Sequence, residues 1–192
     1  MAVDQPPAFG FGESRSLIQS EIGRALAAVD PASFDAAVES IGASRRVFAI
    51  GVGRVALSLQ AFVKRLNHLG VDAWFVGSVN EPALEPGDLL VVGSGSGESV
   101  VPLAIVRRAR ELRGKILWIG SNASGTIAGL ADLQLRIPCP TKLGLPDEIP
   151  SAQPMASLFE QSLLLVCDAI CLVIARRTGT DARSYQRHAN LE

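Results

Sequence analysis

The sequence predicts a doubly wound α/β domain, a three-layer sandwich around a five-stranded parallel sheet of the flavodoxin-like type. Three observations carry that reading. Five short runs read as strands, most of them continuously apolar rather than alternating, as in strands covered on both faces. Helical periodicity fills the stretches between most of them. Three of the runs stop abruptly in glycine and serine, as strand ends do where a parallel sheet meets a ligand.

Each element follows in order. Residues 1 to 13, rich in Pro, Gly and Phe, read as a loose N-terminal arm, and 14 to 192 as one domain. Ser14 or Ser16 is placed to cap a first helix running to Val29. Asp30-Pro31 is a cap followed by a first-turn proline, so a second helix runs from there to Gly42. Val47 to Ile50 is a strand ended by Gly51-Val52-Gly53. Ala56, Leu59, Phe62, Val63 and Leu66 then recur at helical spacing up to Leu69. Ala73 to Val76 and Leu89 to Val92 are strands, and a helix from Glu98 to Arg113 ends at Gly114. Lys115 to Ile119 is a strand, Gly125 to Leu130 a short helix, and Leu133 to Ile137 the last strand. The segment 138 to 154, PCPTKLGLPDEIPSAQP, holds five prolines and reads as a long functional loop of the lid kind. Met155 to Arg177 is a helix apolar on nearly all sides, more than one small domain readily covers, which predicts a subunit interface. Asp181 to Glu192 reads as a short polar helix.

Composition excludes several classes. The 192 residues are 48% hydrophobic and 19% charged, with a formal charge of −1, so no basic nucleic-acid face is expected. The apolar run Leu163 to Ala175 is interrupted by Asp168 and reads as too short and too polar for a bilayer. The start, MAVDQPPAFGFGES, lacks a basic segment followed by an apolar block, so no leader peptide is expected. The three cysteines, Cys139, Cys167 and Cys171, read as reduced thiols of a cytoplasmic protein. Cys167 and Cys171 lie four apart on the long helix, with no nearby His or Cys to complete a metal site, so they read as small buried apolar residues.

The stretch VVGSGSGES, Val91 to Ser99, is the most informative motif. Glycines let backbone N–H groups approach an anion, and the following helix offers its unpaired N–H groups and positive end. Ser94, Ser96 and Ser99 add hydroxyls, and Arg54 can add charge. The physical reading is a phosphate cradle. Gly51-Val52-Gly53-Arg54-Val55-Ala56 fits a loose dinucleotide fingerprint, but Asp72, the acid at the right distance, starts its strand instead of ending it. No Walker loop is present, since no Lys-Ser or Lys-Thr follows the glycines, and no G-x-S-x-G elbow occurs.

Acid–base candidates are few. Glu160 follows the proline-rich segment among Leu158, Phe159 and Leu163, where a carboxylate partly withdrawn from water is placed to act as a base. His188, in RHANLE, is by spacing alone a solvated tail residue. His68 ends a helix, where an imidazolium suits the dipole. Asp147 and Glu148 read as solvated loop acids.

Together these residues resemble the sugar isomerase (SIS) domains, and within them the 6-phospho-3-hexuloisomerases. The resemblance spans residues 14 to 192. It rests on VFAIGVGRVALSLQAFVKRLNHLG, on VVGSGSGES, on GSN at 120 to 122, on QPMASLFE and on the terminal RHANLE. It implies isomerisation of D-arabino-3-hexulose 6-phosphate to fructose 6-phosphate through a cis-enediol, without cofactor, metal or nucleotide. It implies that Ser94, Gly95, Ser96 and Ser99 bind the phosphate and that Gly53, Arg54 and Ser121 line the site. It makes Glu160 the enediol base and brings His188 to a site from the tail, its own or a neighbouring subunit's, in a dimer or tetramer. The chain departs from the family at Val55, where the usual G-R-S-G has serine, at Ser99 for threonine, and at Met155-Ala156-Ser157 for M-G-T. Three alternatives stay open on sequence: a non-catalytic phosphosugar-binding module, an isomerase of another phosphosugar such as arabinose 5-phosphate, and a nucleotide-binding domain.

Overall fold

A computed structural model describes residues 9 to 180. The elements run α1 (Phe11–Ala27), α2 (Pro31–Ala43), β1 (Val47–Ile50), α3 (Arg54–His68), β2 (Ala73–Phe75), β3 (Leu89–Gly93), α4 (Val100–Glu111), β4 (Lys115–Gly120), α5 (Thr126–Leu130), β5 (Leu133–Arg136) and α6 (Ser157–Thr178). The five strands form one parallel sheet in the order β2-β1-β3-β4-β5. From β1 the chain steps outward to β2 and then crosses back past β1 to β3. The switch point therefore lies between β1 and β3, where Ile50 pairs with Val92 and the glycine loops begin.

Continuous apolar strands are what two covered faces require. Val47, Ala49, Leu89, Val91, Leu117 and Ile119 point into a core shared with α1, α2, α3 and α6. The alternate residues Phe48, Ile50, Leu90, Val92, Ile116 and Trp118 fill the other core, under α4 and α5. The central strands β1 and β3 are buried at every position.

Several boundaries differ from the sequence expectation. α1 starts at Phe11 because the Gly10 N–H donates to Glu13, and Ser14 only donates back to the Gly10 carbonyl. α4 starts at Val100, since Glu98 is drawn away to α5. α6 starts at Ser157 because Met155 adopts a left-handed φ of +54°, which a helix excludes. The expectation that the apolar run is too short for a bilayer is also corrected. By length and composition the 22 residues of α6 suffice to cross one, yet half of its most apolar window is buried within the protein. α6 packs against α1, α2 and α3 as a core helix, and Leu165 and Leu172 are left 38% and 59% exposed.

Candidate active site

Two glycines meet at the switch point. A side chain on either Gly51 or Gly93 would collide with Val55 Cγ1 at 2.8 Å and crowd Leu59, so both strand ends are bare to let the first turn of α3 pack down. Val55, where the family pattern has serine, thus serves as packing between the two loops. Gly53, at φ +58°, turns the chain into α3 and exposes Arg54 at its first position.

The Gly/Ser loop is braced on every side. Ser94 is 3% exposed; its N–H donates to the Ile119 carbonyl and its carbonyl accepts Trp118 Nε1. The Ser94 hydroxyl accepts the Gly97 N–H and lies 3.2 Å from the Ser99 hydroxyl. The Gly95 carbonyl accepts the N–H groups of Ser121 and Asn122, and the Ser96 carbonyl accepts Asn122 Nδ2. Glu98 reaches across to α5, accepting the Thr126 N–H at 2.6 Å and its hydroxyl at 2.9 Å. Those bonds, the amide one foremost, hold the Glu98 carboxyl below its ordinary pKa. Gly97 and Gly125 touch backbone to backbone: a Cβ on Gly125 would lie 2.8 Å from the Ser96 carbonyl oxygen. Among the described residues no protein acceptor takes the N–H of Gly95, Ser96 or Ser99. The first-turn amides of α4 lack intrahelical partners by geometry, and Pro102 stands where an amide would be idle. The result is a braced loop in which the Gly95, Ser96 and Ser99 amides are available to an anion, while the serine hydroxyls already take part in bonds within the loop.

α6 closes the site. A Cβ on Gly95 would rest 3.5 Å from the Phe159 ring, so the first turn of α6 lies on the loop. The next residue, Glu160, has a side chain 15% exposed, and its Oε2 is 2.8 Å from Arg54 Nε. The Ser58 hydroxyl donates to the Glu160 carbonyl at 3.1 Å, tying α6 to α3. Gly53, Arg54, Ser94, Gly95, Ser96, Ser99 and Glu160 thus converge at the switch point. Ser121 is fully buried; its hydroxyl donates to the Cys139 carbonyl at 2.6 Å, so it braces the loop from beneath. His188 lies outside the described residues.

Some features were missed in sequence. The Arg54–Glu160 ion pair joins residues far apart in the chain. Arg136, an unremarkable end of β5, donates Nε to the Ser121 carbonyl and pairs with Asp147, bringing a cation beside the strand-end loop. Asp147 is exposed, as expected of a solvated loop acid, and pairs with Arg136. For Glu148 the expectation is corrected: it is half-buried and accepts the N–H and hydroxyl of Thr141 and the Leu145 N–H, knotting the proline-rich segment. Asp72 pairs with Arg46 and accepts Trp74 Nε1 at the start of β2, at the opposite end of the sheet from these loops. The three cysteines are buried, and burial pushes the Cys139 and Cys171 thiols up to about 11 and about 12, so they stay neutral.

The five-stranded, doubly wound parallel sheet with a bare glycine–serine loop at its switch point is the fold of the SIS phosphosugar domains. No family model matches the chain. A 3-hexulose-6-phosphate isomerase of Bacillus subtilis is 35% identical over 176 residues, 91% of this chain and 95% of that protein. Another from Mycobacterium gastri is 35% identical over 178 residues, 92% of this chain and 89% of that protein. The chain belongs to the 3-hexulose-6-phosphate isomerase family. A crystal structure of a hypothetical protein from Methanococcus jannaschii, from which that same activity was inferred, superposes with a TM-score of 0.81 at 27% identity. The match covers 94% of this chain and 99% of that one.

Proposed function

We propose that the protein converts D-arabino-3-hexulose 6-phosphate to fructose 6-phosphate. The observation that carries this reading is the placement of Phe159 on Gly95, which sets Glu160 beside an anion-ready loop. The phosphate docks on the amides and hydroxyls of Gly95, Ser96 and Ser99, and Ser94 and Ser121 hold that loop in shape. Anchored there, the sugar presents C2 and C3 to the Glu160 carboxylate. Glu160 removes the C2 proton, the electron pair moves into the C2–C3 bond, and the C3 oxygen takes up a proton to give the cis-enediol. Loss of the proton on the C2 oxygen and return of a proton to C3 completes the isomer, with no net change in atoms or electrons. Arg54 faces the carboxylate and the developing oxyanion. His188, in the terminal RHANLE motif, is assigned the proton transfer between the two oxygens. The enzyme is read as a cytoplasmic homo-oligomer, a dimer or tetramer; three buried neutral thiols and the exposed Leu165 and Leu172 of α6 support this.

The test is a panel of hexulose and pentose phosphates followed by NMR in heavy water. Formation of fructose 6-phosphate from the 3-hexulose is the expected outcome. Turnover of arabinose 5-phosphate in its place would reassign the substrate. Ligand-induced thermal stabilisation with no exchange of any carbon-bound proton would make the domain a binding module.

A further inference from the structure

Two carboxylates in the described residues are almost fully buried, Glu21 and Asp88. Asp88 answers to Arg45, which approaches it to 2.9 Å. Glu21, on α1 and 2% exposed, has no cation within ion-pair distance among the described residues. Its partners are three neutral donors, all from one short stretch before α6. They are the Ser151 hydroxyl at 2.6 Å, the Ala152 N–H at 2.7 Å and Gln153 Nε2 at 2.9 Å. Three consecutive residues of that loop thus converge on a single buried charge. Burial pushes the carboxyl up, and the donors from Ser151, Ala152 and Gln153 with the charge of Arg24 more than reverse it, so the group stays ionised. Arg24, one turn further along α1, donates to the Pro150 carbonyl and extends the same grip.

What this grip controls follows from the start of α6. Ala156 is its N-cap residue and supplies no side-chain cap, and Met155 before it is left-handed and 97% exposed. The left-handed Met155 and the Ser157 N–H, which donates to the Pro154 carbonyl, mark where the helix carrying Glu160 begins, but no side chain caps it, so its start moves with the loop before it. Glu160 is only four residues past that cap, in the first turn. A carboxylate gripped by three donors fixes the loop to α1 at defined atoms, which apolar contact between loop and helix does not do.

We infer that Glu21 is a positioning residue for the isomerase reaction. By clamping 151–153 it sets the start of α6 and so the placement of the Glu160 carboxylate against the bound sugar. The inference rests on the proposed role of Glu160, and its test separates the two. Glu21→Gln keeps the shape of the side chain but turns an N–H₂ toward groups that donate. The expected result is a fall in kcat of about 10- to 100-fold, with KM within about threefold and a folded protein at the assay temperature. The double variant Glu21→Gln with Glu160→Gln is expected to be no slower than Glu160→Gln alone, because Glu21 acts only through that base. Ser151→Ala with Gln153→Ala removes two of the donors from the outside, leaves α1 untouched, and should lower kcat in the same sense by a smaller factor. If Glu21→Gln fails to fold, this loop variant carries the test alone.

Unchanged kcat with a lowered melting temperature would make Glu21 a structural staple and overturn the inference, while a slow Glu160→Gln left the base intact. Multiplicative losses in the double variant would overturn it too. Parent-rate turnover by Glu160→Gln would remove the base and the clamp together.

Discussion

Gly125→Ala perturbs the anion loop without replacing any residue that binds or reacts. Gly125 sits at φ −69°, ψ 156°, which any residue adopts, so the added methyl acts by volume alone. Its Cβ would lie 2.8 Å from the Ser96 carbonyl oxygen, 3.0 Å from Gly97 Cα and 3.1 Å from the Asn122 carbonyl oxygen. All three are backbone atoms, and ordinary contact begins near 3.4 Å, so the loop must retreat by about 0.6 Å. Overpacking of that kind costs about 1–3 kcal/mol. If the loop absorbs half or more of it, phosphate binding weakens by roughly 3- to 100-fold, at about 1.4 kcal/mol per tenfold. The assay is steady-state kinetics with a melting curve: KM should rise by about that factor with kcat little changed, and the melting temperature should fall by about 2–4 °C per kcal/mol. Gly129→Ala, on the same short helix with nothing within 4 Å, is the control and should leave KM as it was. A KM for Gly125→Ala within twofold of the parent would refute a rigid loop as the phosphate site.

Three further outcomes are expected. Val55→Ser restores a hydroxyl but withdraws a methyl from above Gly51 and Gly93; it should lower the melting temperature, at a cost of about 1 kcal/mol, without raising kcat, as read by calorimetry and turnover. Arg54→Ala should lower kcat/KM by about tenfold or more, because it strips the partner from Glu160, and Arg54→Lys should recover only part, for want of the planar fork. Glu98 caps α5 as a carboxylate whose pKa lies below the ordinary 4.5; its contribution is complete above that value and is lost as pH falls through the lowered one. Acid titration should therefore raise KM before the protein unfolds, and Glu98→Gln should show the raised KM already at neutral pH.

The parts of the molecule legible in sequence are those governed by local rules. Buried parallel strands read as unbroken apolar runs, and the Asp30-Pro31 cap starts α2 where the sequence puts it, with Asp30 accepting the Ser33 N–H. The glycine loop was legible because a run of glycine and serine offers no side chains to a core, although Gly93 and Gly97 prove to be bare partly so that α3 and Gly125 can approach. What stayed hidden depends on contacts far apart in the chain. Arg54 meets Glu160 only because α3 and α6 pack side by side. Glu98 read as part of the loop motif, and its service as a cap to α5 appears only once Thr126 is beside it. Glu21 looked like any helical glutamate, and nothing within its own helix signals that 151–153 covers it. The strand-end serine at 121 read as a ligand group, yet its hydroxyl turns inward to Cys139.

Carbon-bound proton exchange by Glu160→Gln tests the central claim most directly. The parent enzyme, given fructose 6-phosphate in heavy water, should wash out the C3 proton. The variant should still bind the phosphosugar saturably but exchange that proton about 10²- to 10⁴-fold more slowly. Exchange at the parent rate by the variant would contradict the account.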